Sequence, residues 1–166
     1  MKGKYMSKNQ SPYMLEVSSD YIRASKLLWG QPNLQNVAIV NASIAIEIIL
    51  KSFLAEPYEN DSLGTLAQQY KMTRSRVHLF SDLVDEIEPQ LCRKLKFSKY
   101  IDWFKENDRL FIKSRYPYEP ACSGSYNDTP LVVATEMFRE VINWYKETGN
   151  DDPWVVLYPN VAGGCI

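Results

Sequence analysis

Cysteine is scarce in this 166-residue chain. Cys92, Cys122 and Cys165 are far apart and odd in number, which excludes a metal-ligand spacing and a secreted disulfide framework and suits a reducing cytoplasm. Histidine is scarcer still: His78 stands alone, and the serines of residues 123–125 have no base or elbow motif beside them. No glycine-rich loop able to cradle a phosphate is present. An excess of one charge is also missing. Nineteen lysines and arginines against twenty aspartates and glutamates give a net charge of −1, too little for broad, nonspecific duplex binding, so any nucleic-acid contact must be local. Long apolar runs are lacking too: the first fourteen residues have no signal-peptide core, and the central apolar run is broken by Asn41, Ser43 and Glu47 before it could span a bilayer. Repeats, heptads and low-complexity tracts are absent. The expectation is one cytoplasmic domain, with no membrane, no cofactor and no metal.

What the chain does contain is helical periodicity and aromatic residues. Residues 1–19 have no clear period and read as a loosely ordered N-terminal segment. A first helix over residues 21–29 is expected behind a Ser19–Asp20 cap, stopped by Gly30, Pro32 and Asn33. The second, over 36–55, is apolar nearly all round and long enough to cross the domain, at about 1.5 Å per residue. A third runs over 78–87. A fourth, over 99–113, sets Tyr100, Trp103, Phe104 and Phe111 against charged residues, a stripe that reads as core or dimer interface. Residues 116–130 hold three prolines and read as a long loop of the kind that often carries function. Thr129 and Pro130 then open a last helix that Gly149 closes. The fold class is therefore all-α, a bundle of about five helices over 20–148, followed by an extended tail over 149–166 whose strand-like run, 154–158, packs across helices or reaches another subunit.

Glu47 is the anomaly of the second helix. A carboxylate on so apolar a helix needs a partner, because an unpaired buried charge costs several kcal/mol. Lys51, one turn on, is the local partner, but an exposed pair at that spacing is worth only about 0.3–0.5 kcal/mol. Arg115, arriving from another helix, is the partner the sequence suggests. Arg109, Lys113 and Arg115 with Tyr116 make the candidate ligand-binding cluster, where positive charge meets a ring on which a base can stack. The plain alternative is a solvated face. His78 is a candidate acid or base, with Arg74 its nearest candidate helper, set against the plainer role of a hydrogen-bonded residue at a helix start. Asp82, Asp85, Glu86 and Glu88 spread over more than one helical face and read as solvated rather than metal-binding.

The EIILK segment of Glu47–Lys51, a helix opening with His78, Phe80 and Leu83, and an amphipathic helix running into SRYPYE at 114–119 together resemble the HEPN superfamily over roughly residues 21–145. That resemblance implies a bundle of four or five helices, homodimerisation, and roles in RNA cleavage, in toxin–antitoxin or phage-defence systems, or as a noncatalytic partner of nucleotidyltransferases. Its E-x-x-x-K feature matches Glu47 and Lys51, and its Arg-Tyr-Pro end matches Arg115, Tyr116 and Pro117. The family's nucleases carry an arginine, four to six residues, then a histidine. Here the corresponding positions hold Lys71, Met72 and Thr73, while Arg74 and Arg76 stand too close to His78. The expectation is thus a noncatalytic dimeric binding module for RNA, a nucleotide or a protein partner. The alternatives are a divergent metal-independent ribonuclease using His78 and a purely structural interaction module.

Overall fold

The structure, a computed structural model, describes residues 11–57, 70–72, 77–120, 122 and 127–161. Helix α1 (Pro12–Trp29) and helix α2 (Gln35–Ser52) come first, then two three-residue strands, β1 (Ala55–Pro57) and β2 (Tyr70–Met72). Short helices α3 (Phe80–Asp85) and α4 (Pro89–Lys94), a 3₁₀ turn (Phe97–Tyr100), and helices α5 (Ile101–Asn107) and α6 (Leu110–Arg115) follow. Helices α7 (Thr129–Glu147) and α8 (Pro153–Leu157) complete the order. The fold is all-α apart from the β1–β2 ribbon, antiparallel with Ala55 opposite Met72. Among the described residues no helix is long and apolar enough to cross a membrane.

Helix α1 starts a full nine residues before the expected position. Ser11 is its cap, its side chain accepting from the Met14 amide at 3.3 Å, and Pro12 fills the first turn, where a missing N–H costs nothing. Residues 11–19 are therefore ordered helix and cap rather than a loose segment, and Ser19 lies buried inside the helix it was expected to start. The physical reason is that serines occupy core positions. Ser18 Oγ donates to Leu15 O at 2.7 Å and Ser25 Oγ donates across to Ala38 O of α2 at 2.8 Å, so the hydroxyls are satisfied within the packed helices. With Ala38, Ala42 and Ala45 fully buried on α2, these small side chains let the two helices pack against each other over their length.

Helix α2 is the axis of the domain, packed against α1, α3, α6 and α7. Ile46, Ile49 and Leu50 are fully buried, and below them Phe53 meets Phe97 edge-on at 6.0 Å and Trp144 at 5.9 Å. The amphipathic α7 presents Val133, Met137, Val141 and Trp144 inward, as its periodicity predicts. Gly149, at φ +77°, ends it by letting the Asn150 amide turn back to Tyr145 O.

Two expectations are corrected here. The single helix expected over 99–113 is broken into the 3₁₀ turn, α5 and α6: Tyr100 (φ −106°, ψ 1°) and Arg109 (φ −106°, ψ 17°) depart from helical angles, and beside the second break the Asp108 side chain bonds with α3. The strand-like run 154–158 is helical: Asp152 caps α8 by accepting from the Trp154 amide at 2.9 Å, and Pro153 starts it. Trp154 and Tyr158 pack against Phe138 of α7, so this part of the tail lies across a helix of its own chain.

Candidate functional site

Helix α2 turns one face, Ile44, Glu47, Ile48 and then Lys51, toward the last turn of α6 and the segment just before α3. The spacing of 3, 4 and 7 residues keeps these side chains on one stripe. Opposite them α6 contributes Phe111, Ile112 and Arg115, while His78 and Leu79 close one end and Asp108 lies at the break between α5 and α6. The cleft is open to solvent and about 490 Å³ in volume, with an apolar lining of isoleucines and Phe111 and a few polar groups.

The polar groups are tied to one another. Lys51 Nζ donates to Glu47 Oε1 at 2.7 Å, and His78 Nδ1 lies 2.8 Å from the same oxygen and 3.3 Å from Lys51 Nζ. A carboxylate oxygen at 2.8 Å requires a proton on Nδ1, since two lone pairs at that distance would repel. In the neutral ring this leaves the lone pair on Nε2. The His78 side chain is about two-thirds exposed, so that nitrogen is open to a ligand or to water.

Asp108 fixes the site from behind. Helix α3 has no side-chain cap of its own, and Asp108 supplies one from a distance, Oδ1 accepting from the Ser81 amide at 2.8 Å and Oδ2 from Ser81 Oγ at 2.6 Å. The same carboxylate ties the start of α3, which His78 and Leu79 immediately precede, to the start of α6, which carries Phe111 and Arg115.

No family model, curated protein or solved structure matches the chain. The reading of the site therefore rests on its residues.

The expected Glu47–Arg115 pair is not made. Among the described residues the partners of Glu47 are the Lys51 ammonium and the His78 ring, and Glu47 retains about a fifth of its side-chain exposure at the cleft edge, so it needs no distant arginine. Arg115 instead lies against two rings, with its guanidinium carbon 4.2 Å from the Tyr116 centroid and 5.1 Å from that of Phe111. Glu47, Lys51, His78 and Arg115 thus share one site without the pairing foreseen. Arg109 and Lys113 lie beside it with Lys105 in an adjoining cleft of about 380 Å³, which shares Leu79 and Asp108 with the first. Tyr116 is half-buried and packs on Tyr118 at 5.7 Å. Arg74 lies outside the described residues. Among the described residues no group of three or more His, Cys, Asp or Glu side chains is placed to hold a metal ion.

Sequence reasoning missed the contact of His78 with Glu47 and the role of Asp108. A pairing 31 residues apart leaves no periodic trace. The Asn107–Asp108 dipeptide, however, is a turn signal, and a break in the fourth helix could have been read from it.

Proposed function

We propose that this chain is a HEPN-like helical binding module that receives a phosphate-bearing ligand, RNA or a nucleotide, in the cleft between α2 and α6. The observation that carries the reading is Arg115. Its guanidinium lies at the cleft on two aromatic rings, without a carboxylate partner among the described residues, facing a site that also holds an open imidazole nitrogen. A cation that no protein carboxylate neutralises is available to an anion, and the isoleucine and phenylalanine lining suits the face of a base. The resemblance of Glu47–Lys51 and Arg115–Pro117 to family features, whose Glu47 and Arg115 line one cleft, supports the HEPN-like reading. That reading places the module in the cytoplasm as a homodimer, with a toxin–antitoxin or defence partner as its biological setting.

The test is titration calorimetry with adenosine monophosphate and a short single-stranded RNA. Arg115→Ala should weaken binding about tenfold or more, the value of a charge-assisted contact. Undiminished binding by the variant would remove the reading. Sedimentation showing a monomer at high micromolar concentration would count against the homodimer.

One observation favours a second reading, a metal-independent ribonuclease. Glu47 orients His78 so that Nε2 is free to take or give a proton, as a general base or acid requires. RNA cleavage that persists in EDTA and disappears in His78→Ala would move the protein to that class.

A further inference from the structure

Two groups of basic side chains stand in contrast among the described residues. Lys94, Lys96 and Lys99 are each neutralised by a glutamate of α7, at 3.0, 2.6 and 2.6 Å. Lys105, Arg109 and Lys113 have no carboxylate within salt-bridge distance among the described residues, although they follow one another at four-residue spacing along α5 and α6 and line one cleft. Two carboxylates share that cleft. Both oxygens of Asp108 are taken up by Ser81, and Glu106 is exposed. Glu47, in the first cleft, is already neutralised by Lys51. Lys105, Arg109, Lys113 and Arg115 line the two clefts against Glu106 and Asp108, besides the Glu47 that Lys51 offsets, a local positive excess in a chain whose net charge is −1. The clefts adjoin at Leu79 and Asp108, which line both.

From this arrangement we infer a second anion site, formed by Lys105, Arg109 and Lys113, contiguous with the Arg115–His78 cleft, so that the ligand carries at least two phosphate groups and lies across the Leu79–Asp108 junction. The inference rests on the phosphate-binding reading of the first cleft and narrows it from a monophosphate to a polyanion. Separated, unpaired cations along one line match phosphates repeated along a chain better than they match a single phosphate, which one cluster would satisfy. The same chemistry is offered by the terminal polyphosphate of a nucleotide and by a phosphodiester strand.

The experiment measures the affinity of the full chain for adenosine monophosphate, adenosine triphosphate, inorganic tripolyphosphate and oligouridylates of two, four and eight nucleotides, each at two salt concentrations. The parent should bind at least one polyanion about tenfold or more tighter than the monophosphate, with a steeper salt dependence. Lys105→Ala/Arg109→Ala/Lys113→Ala should lose that advantage and flatten the log–log salt slope by about two for an oligonucleotide, while monophosphate affinity stays put. All three side chains are exposed, and an unchanged melting temperature in the variant verifies that it folds. Tighter binding of the triphosphate and tripolyphosphate identifies a terminal polyphosphate as the source; affinity that grows with oligonucleotide length identifies a strand. Monophosphate binding equal to that of every longer probe, or a triple variant that keeps the polyanion advantage, overturns the second site and leaves the first standing. Failure of the parent to bind any probe overturns both.

Discussion

His78 is the only histidine in the sequence, so every imidazole signal from this protein reports on the candidate site. With Nδ1 bonded to Glu47 at 2.8 Å, the neutral ring is held in the tautomer that leaves Nε2 unprotonated. Nitrogen chemical shifts of the labelled ring should show that tautomer as the dominant neutral form. Glu47→Gln, whose side chain can present an N–H as well as an oxygen toward Nδ1, should shift the population toward the other tautomer; identical spectra would mean that the contact does not orient the ring. A second residue-scale prediction concerns Glu16 on α1. Burial, then the negative charges of Asp20 and Asp152, push its carboxyl above the ordinary carboxylate value. A raised pKa means that the unfolded chain releases this proton first. The contribution to stability is therefore greatest below the ordinary value of 4.5 and declines as pH rises through that value to the raised one. At neutral pH the charge is a burden, and Glu16→Gln should raise the melting temperature by about one or two degrees, an advantage that shrinks in acid. A lower melting temperature at pH 7 would show that the carboxylate is making a favourable contact instead.

At the scale of elements, the clasp between Asp108 and Ser81 decides where the cleft walls stand. Asp108→Ala removes the cap from α3 and should cost about 1–2 kcal/mol, the usual value of a lost cap, whereas Ser81→Ala gives up only the hydroxyl bond and should cost less. Denaturant midpoints that fall equally in the two variants would contradict this ordering. The clasp also explains what could and could not be read from the residues. Helix α7 was legible because its Val133, Met137, Val141 and Trp144 stripe and its closing glycine agree with one another. Helix α1 was half hidden, because Ser18, Ser19 and Ser25 look polar in sequence yet sit in the core with their hydroxyls bonded to carbonyls or packed away. The Asp108–Ser81 clasp and the Glu47–His78 contact were not legible as contacts, since each depends on segments 27 and 31 residues apart meeting in space. The cluster Arg109, Lys113, Arg115 and Tyr116 was visible as residue types, but the division of its three cations between two clefts, and the isoleucine lining of the first, came only with the packing of α6 on α2.

For the whole molecule, the segment from α4 through the 3₁₀ turn is tied to α7 by Lys94–Glu147, Lys96–Glu140 and Lys99–Glu136, the last reinforced by the Tyr100 hydroxyl donating to the same carboxylate. Sequence reading gave the amphipathic faces but not these pairings, because lysines on one element and glutamates on another can be matched in many ways. The bonds from Lys99, and next from Tyr100, hold Glu136 below the ordinary carboxylate value, so its contribution is present above 4.5 and is lost as pH falls through the depressed value. Lys99 is raised in turn, chiefly by Glu136; that contribution is complete below 10.5 and is lost as pH rises through the raised value. Tyr100 is also raised, first by burial and then by Glu136, so the unfolded chain ionises first near 10.0 and folding is penalised from there upward. The cluster thus supports the fold across a plateau that ends in acid below the usual carboxylate range and in alkali from about the ordinary tyrosine value. Because Glu136 and Lys99 keep about half their exposure, at 44% and 50%, solvent and salt screen the pair, and the effect on the plateau is small, of the order of a surface ion pair, 1 kcal/mol or less. Urea midpoints measured from pH 3 to pH 11 should therefore fall more gently at both ends in Glu136→Gln than in the parent, with a plateau only slightly lower. Tyr100→Phe, which keeps the buried ring, should flatten the alkaline end and, through the lost bond to Glu136, soften the acid end as well. Parallel curves for parent and both variants would mean that the cluster is not coupled to folding and that the pH limits of this domain are set elsewhere.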